Sequence, residues 1–215
     1  MSRINAKIKS NEETELNGQG PLITEENIEQ LYAKLDVLSE GDTLVVSGSV
    51  PNTLPGDMYE RIMARLDGRG VRIVVDAERD LLTRVLPYKP FLVKPNNVEL
   101  GDIYGVTLKT RDEVVPYAKR MQEAGAQNVL VSMAGEGGVL VAADGQVFQS
   151  PAAKGTVVNS VGAGDSSVAG FLAGLIETGS YETAFRMALA SGSASAFSDH
   201  LATRPEVEAL MAGSR

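Results

Sequence analysis

Cysteine is absent from this 215-residue chain, which excludes a disulfide framework and a thiol nucleophile and fits a reducing cytoplasm. Histidine occurs once, at position 200. With no partnered nucleophile in sight, a Ser-His hydrolase has little support, and His200 reads as a surface residue. No apolar run approaches the roughly 20 residues needed to span a bilayer, and the polar, charged start does not read as a signal peptide. Basic residues are the minority, with 20 Lys plus Arg against 28 Asp plus Glu and a net charge of −8. That balance argues against a nucleic-acid backbone or an anionic membrane as partner. Any anionic ligand must therefore be held by a local arrangement of groups. G-x-x-x-x-G-K-[ST] does not occur, so a P-loop is excluded. There is no internal repeat, low-complexity tract or interdomain linker, and 1–215 reads as a single domain.

With 43% hydrophobic residues, the chain can bury one good core. Arg3–Ile8 alternates as a half-exposed strand does, with Glu13–Leu16 as its hairpin partner. Thr24 opens a helix whose apolar stripe is Ile28, Leu31, Tyr32, Leu35 and Leu38. Buried-strand runs follow at Thr43–Val46, Val71–Val75, Phe91–Val93 and Asn128–Val131. They alternate with helical patterns at Asp57–Leu66, Leu81–Leu86, Val98–Tyr104 and Arg111–Glu123. Short apolar strands alternating with helices point to a parallel sheet covered on both faces. Gly138–Ala142 and Gln146–Gln149 read as a hairpin, and Gly164–Ile176, Tyr181–Phe197 and Pro205–Met211 as helices.

The most informative stretch is Asn159-Ser160-Val161-Gly162-Ala163-Gly164-Asp165. It sets a carboxylate at the start of a helix, where successive backbone N–H groups make a cradle for phosphate. An acid there is costly if its only task is to hold an anion. It makes sense if it takes a proton from a hydroxyl that attacks a phosphoryl group held by those N–H groups. A plain tight turn with Asp165 as N-cap remains open on local grounds. A dinucleotide-binding turn is disfavoured, because Ser167 stands where a third glycine is needed.

Val157–Gly174 resembles the C-terminal signature of the ribokinase-like sugar kinases, the phosphofructokinase-B family. Three further stretches match in the family's order: Ser47-Gly48-Ser49-Val50-Pro51, Lys94-Pro95-Asn96-Asn97-Val98-Glu99 and Ser132-Met133-Ala134-Gly135-Glu136-Gly137-Gly138. The fold this implies is a three-layer α/β/α sandwich with a mainly parallel sheet, and residues 1–20 would be the remnant of a β lid. Asp165 would be the catalytic base, with the amides of Gly162, Ala163 and Gly164 as the anion hole. Ser132, Gly135, Glu136 and Gly137, together with Gly164 and Asp165, would bind ATP. Arg3, Asn5, Ser47 and Ser49 would meet the sugar or its phosphate. Asn96 and Glu99 would hold the Mg²⁺–phosphate assembly through water. Locally, however, the same two residues read equally as a helix cap, and Lys94 as equally a solvated charge or a ligand. Ala134 stands where the family usually has glycine, with Gly135 next to it.

The resemblance implies transfer of the γ-phosphoryl group of ATP to the C6 hydroxyl of fructose 1-phosphate, with tagatose 6-phosphate as the alternative substrate. A homodimer joined through the lid is an assembly it allows. The family pattern begins midway at Met1-Ser2, without the opening strand whose Asp contacts the sugar and without the Gly-Gly stretch beneath it. A nucleotide-binding fragment without kinase activity is thus a second expectation. An NAD-binding oxidoreductase is the third and least favoured, given Asp165 and Ser167.

Overall fold

The computed structural model describes residues 4–9, 13–18 and 20–213. Strands β1 (Asn5–Lys9) and β2 (Glu13–Asn17) form an antiparallel two-stranded sheet of their own, with Asn5 opposite Asn17. Arg3 lies outside the described residues. Thr24 caps α1 (Glu25–Leu35) through a capping box with Asn27, as its hydroxyl and the two acids behind it lead one to expect. Leu38 falls beyond the end of the helix yet packs on the same cluster as Leu35.

The main sheet has the order β3 (Thr43–Ser47), β4 (Arg72–Asp76), β5 (Leu92–Val93), β6 (Asn128–Ser132), β7 (Gly138–Val141) and β8 (Val147–Ser150). The first four strands run parallel, and β7 and β8 are antiparallel. Helices α2 (Met58–Leu66), α3 (Arg79–Val85), α4 (Asn97–Tyr104) and α5 (Arg111–Glu123) alternate with the parallel strands. Three more close the described chain: α6 (Ala163–Thr178), α7 (Tyr181–Ala196) and α8 (Arg204–Gly213).

Period-2 alternation in the strands sorts the core into two layers. Ile73, Val75, Val93, Val129, Val131 and Val139 face α1 to α5, and Val74, Leu92, Leu130 and Leu140 face α6 and α7. The result is the expected α/β/α sandwich, with strands that are apolar on both faces because both faces are covered. The α6–α7 pair is packed close enough to demand small residues. A Cβ on Gly170 would lie 2.4 Å from Ser191 Oγ. Boundaries moved where backbone conformation intervened: α3 starts two residues earlier than the apolar pattern, at Arg79, which itself has φ +45°.

Candidate active site

The residues that end β3 and follow β5, Ser47 and Lys94, meet the first turn of α6, in the region of an α/β sheet where ligands bind. Gly162, at φ +79°, is the N-cap of α6 and makes no side-chain cap. Asp165 is therefore the third helical residue, and the N-cap reading of it is corrected. Its carboxylate is exposed and accepts a hydrogen bond at 3.2 Å from the Ser47 hydroxyl, 118 residues away at the end of β3. The first turn of a helix leaves N–H groups without an intrahelical partner. Here the Ser166 N–H bonds to the Gly162 carbonyl at 2.9 Å, and the Ala163 N–H is taken by the Ser160 carbonyl at 3.2 Å. Of the three amides expected to face an anion, the Ala163 amide is thus engaged in the turn. Gly164 and Asp165 sit ahead of the first intrahelical bond.

Lys94 does not behave as a solvated charge. It is 6% exposed, and its ammonium lies 3.2 Å from Asp76 Oδ1. A Cβ added at Gly164 would come within 3.2 Å of Lys94 Nζ. The cation is therefore tucked under the start of α6, beside the phosphate cradle. Asp76 has its pKa raised, first by burial and then by the nearby Asp165 and Glu78, and the pull of Lys94 offsets this only in part. Burial wins because the pair sits where little solvent reaches either charge.

Asn96 caps α4. Its side-chain oxygen accepts from the N–H groups of Val98 at 2.9 Å and Glu99 at 2.8 Å, and Glu99 Oε2 accepts from the Asn96 N–H at 2.7 Å. The capping role of these two residues is realised. The second carboxylate oxygen of Glu99 and the amide nitrogen of Asn96 stay outside the box. Burial raises the pKa of Glu99, with the Asn96 N–H and Lys94 acting against it. Among the described residues no group of three or more His, Cys, Asp or Glu is placed to hold a metal unaided. Lys94 is the cation whose charge both Asp76 and Glu99 feel.

Ser132 ends β6, and its N–H bonds to the Pro95 carbonyl at 3.2 Å, tying the second motif to the third. Beyond it the Met133 N–H reaches the Gly137 carbonyl at 2.8 Å, closing a tight loop. Gly137, at φ +87°, is required there, since a Cβ would lie 2.0 Å from the Ser150 carbonyl oxygen. Gly135 has open space around it. The Glu136 carbonyl accepts from Arg111. Ala134 occupies its glycine-like position at φ +45°.

The structure therefore brings together Ser47, Lys94, Asp165 and the first turn of α6, with the Asn96–Glu99 cap and the Ser132–Gly137 loop on the neighbouring strands. Ser49 lies exposed two residues past β3. Asn5 stands in β1, which has no strand partner in the main sheet. His200 is exposed, 3.9 Å from Glu206, as expected. Two contributors went unforeseen. Asp76 ends β4 as Ser47 ends β3, so the rule for strand C-termini points to it once applied to every strand. Tyr59 on α2 donates its hydroxyl to the Gly48 carbonyl at 2.8 Å and steadies the turn after Ser47; burial pushes its pKa up to about 12. No local pattern distinguishes that tyrosine from a core residue.

A sheet whose strand ends feed a helix-start phosphate cradle with a carboxylate in it is the layout of a carbohydrate kinase. The pfkB family carbohydrate kinase profile matches residues 3–206, and the chain belongs to that family. Among proteins similar to it is 1-phosphofructokinase of Bacillus subtilis (strain 168), 45% identical over 210 residues, spanning 98% of this chain and 69% of the relative. D-tagatose-1-phosphate kinase of Bacillus licheniformis is 35% identical over 203 residues, spanning 94% of this chain and 66% of the relative. Phosphofructokinase-2 from Escherichia coli in complex with potassium superposes with a TM-score of 0.89 at 26% identity, over 99% of this chain and 71% of that one. The chain thus spans about two thirds of the length of these proteins.

Proposed function

We propose that the chain carries the phosphoryl-transfer half of a sugar-phosphate kinase, moving the γ-phosphoryl group of ATP to the C6 hydroxyl of fructose 1-phosphate. The observation that carries this reading is the hydroxyl held on Asp165. A carboxylate that accepts the Ser47 O–H at the mouth of a helix N-terminus marks where an acceptor hydroxyl would sit. In transfer, Asp165 accepts the proton of the substrate C6 hydroxyl as its oxygen bonds to the γ-phosphorus and the bond to ADP breaks. Amides at the start of α6 steady the transferring group, and the Lys94 ammonium beneath Gly164 adds positive potential there. The Ser132–Gly137 loop fits the remaining phosphates, with Gly135 open to close approach. Asn96 and Glu99 would hold water around Mg²⁺, which when bound would neutralise phosphate charge.

Fructose 1-phosphate is favoured as acceptor because 1-phosphofructokinase is the name of a relative with 45% identity. Tagatose 1-phosphate, from the name of a second relative, now stands ahead of tagatose 6-phosphate as the alternative. ADP release over these three sugars, with fructose 6-phosphate and free fructose, tests the assignment. Fructose 1-phosphate is expected to give the highest rate. Asp165→Asn should lower whatever rate the chain shows by about a hundredfold or more, while calorimetric binding of ATP persists. A mutant with near-normal turnover would remove Asp165 from the base role. No binding of ATP by the parent chain would remove the kinase reading.

A further inference from the structure

The loop that follows β6 is strained, and part of what holds it lies outside the loop. Ala134 has φ +45° and Gly137 φ +87°, and a residue with a Cβ keeps a positive φ only where its surroundings fix it. Inside the loop the Glu136 N–H bonds to the Met133 carbonyl at 2.9 Å, and the Gly137 N–H to the Ala134 carbonyl at 3.0 Å. Among the described residues the N–H groups of Ala134 and Gly135 have no hydrogen-bond partner, and both residues are exposed. Successive free amides of this kind form a concavity for an anion. The peptide between Glu136 and Gly137 closes the turn that carries them. Glycine lets that peptide rotate at little steric cost, so its orientation depends on what grips its two ends.

The carbonyl end is gripped by Arg111, whose guanidinium donates to Glu136. Arg111 is half-buried and is the first residue of α5, where the capping box of Thr110 and Glu113 sets its backbone. That is the unfavourable end of a helix for a cation, because the helix dipole is positive there. Nor does Arg111 form an ion pair among the described residues, whereas Arg65 and Arg204 hold Asp36 and Glu177. Its neighbour Asp112 accepts from Gln149 of β8 at 3.2 Å, which fixes the same helix start to the sheet. A cation that opposes its own helix dipole and has no carboxylate partner serves the loop, not α5. We propose that Arg111 is a positioning residue for the nucleotide: its hold on the Glu136 carbonyl locks the Glu136–Gly137 peptide and keeps the Ala134 and Gly135 amides set for the phosphates of ATP. The proposal rests on the kinase reading, which gives this loop to the nucleotide.

Arg111→Ala releases the carbonyl. Calorimetry with Mg·ATP should show binding weakened about tenfold, and the Gly137 amide should exchange faster with solvent while those of β6 and β7 hold. The unfolding midpoint should stay level or rise, since a cation leaves the positive end of α5. An arginine with a merely structural role would lose stability and affinity together. Arg111→Lys keeps a long donor and should restore both the affinity and the protection of Gly137. In an ADP-release assay the alanine variant should raise the KM for ATP and spare the KM for fructose 1-phosphate. Unchanged ATP affinity in Arg111→Ala, an unchanged Gly137 exchange rate, a midpoint that falls with the affinity, or lysine rescue of affinity without protection would each overturn the proposal and leave the kinase reading standing. A parent chain that binds no ATP would count against the kinase reading, and the Gly137 exchange comparison would still decide whether Arg111 holds the loop.

Discussion

Ala134 is the residue most at odds with its own chemistry. Left-handed backbone costs a residue with a Cβ about 1–2 kcal/mol, and Ala134 adopts it at φ +45° where the chain leaves β6. Glycine removes that cost but loses more entropy on folding, so Ala134→Gly should gain roughly 0.5–1 kcal/mol. In a chain of this size that is a rise of about 2 °C in the unfolding midpoint. A thermal melt followed by circular dichroism checks it, and an unchanged or lower midpoint would show that the loop bears no strain there. The alanine's departure from the family pattern was legible in the sequence, but its dihedral angle was not. Lys94 is the opposite case. Nothing near it in the chain announces a buried cation, because its partner Asp76 sits on another strand. Ion pairs between strands leave no local spacing to read.

At the level of the element, α4 opens on a pair of residues with an observed capping role and a proposed second one. The Asn96–Glu99 capping box was readable from the triplet spacing after a strand, whereas the metal role came from the resemblance and would fall to the atoms the box leaves over. Burial makes the charged form of Glu99 unfavourable in the folded state and raises its pKa above the ordinary glutamate value of 4.5. The folded protein then binds a proton more tightly than the unfolded chain. Its contribution to stability is fully present at low pH and lost as pH rises through the folded pKa. Glu99→Gln keeps an acceptor for the Asn96 N–H and cannot ionise. The variant should be more stable than the parent at pH 7.5, with the gap closing as pH falls towards about 4.5. Urea unfolding at the two pH values measures this, and a gap that widens at low pH would reverse the argument. The same variant should need more Mg²⁺ for ATP to bind. Other element boundaries slipped where periodicity was weakest. β5 keeps two ladder residues, Leu92 and Val93, of an apolar run of three.

For the molecule as a whole, the residues proposed to meet ATP are gathered at one end of the sheet. The cradle at Gly162–Asp165 and the loop at Ser132–Gly137 lie among described residues, tied together through Lys94, Asn96 and Ser132. Orientation of reactants can supply about 7–11 kcal/mol of a transfer barrier, so a group that positions the acceptor should matter far more to turnover than to nucleotide affinity. Ser47, whose hydroxyl meets Asp165 at 3.2 Å, is the proposed positioning group: Ser47→Ala should leave calorimetric binding of Mg·ATP nearly unchanged and slow phosphorylation of fructose 1-phosphate in an ADP-release assay on the same preparation. Turnover at the parent rate would show that Ser47 does not position the acceptor.

The close packing of α6 on α7 also dictates an order of events in time. The two helices are consecutive in the chain, joined by a short turn at Gly179 and Ser180, so bringing them together closes only a small loop. The contact of Ser47 with Asp165 closes one of 118 residues. Local contacts form sooner than distant ones. During refolding the hairpin bearing the carboxylate should therefore gain protection in pulse-labelled exchange before β3 does. If β3 were protected first, assembly would start from the sheet, with the helix that carries the base docking last.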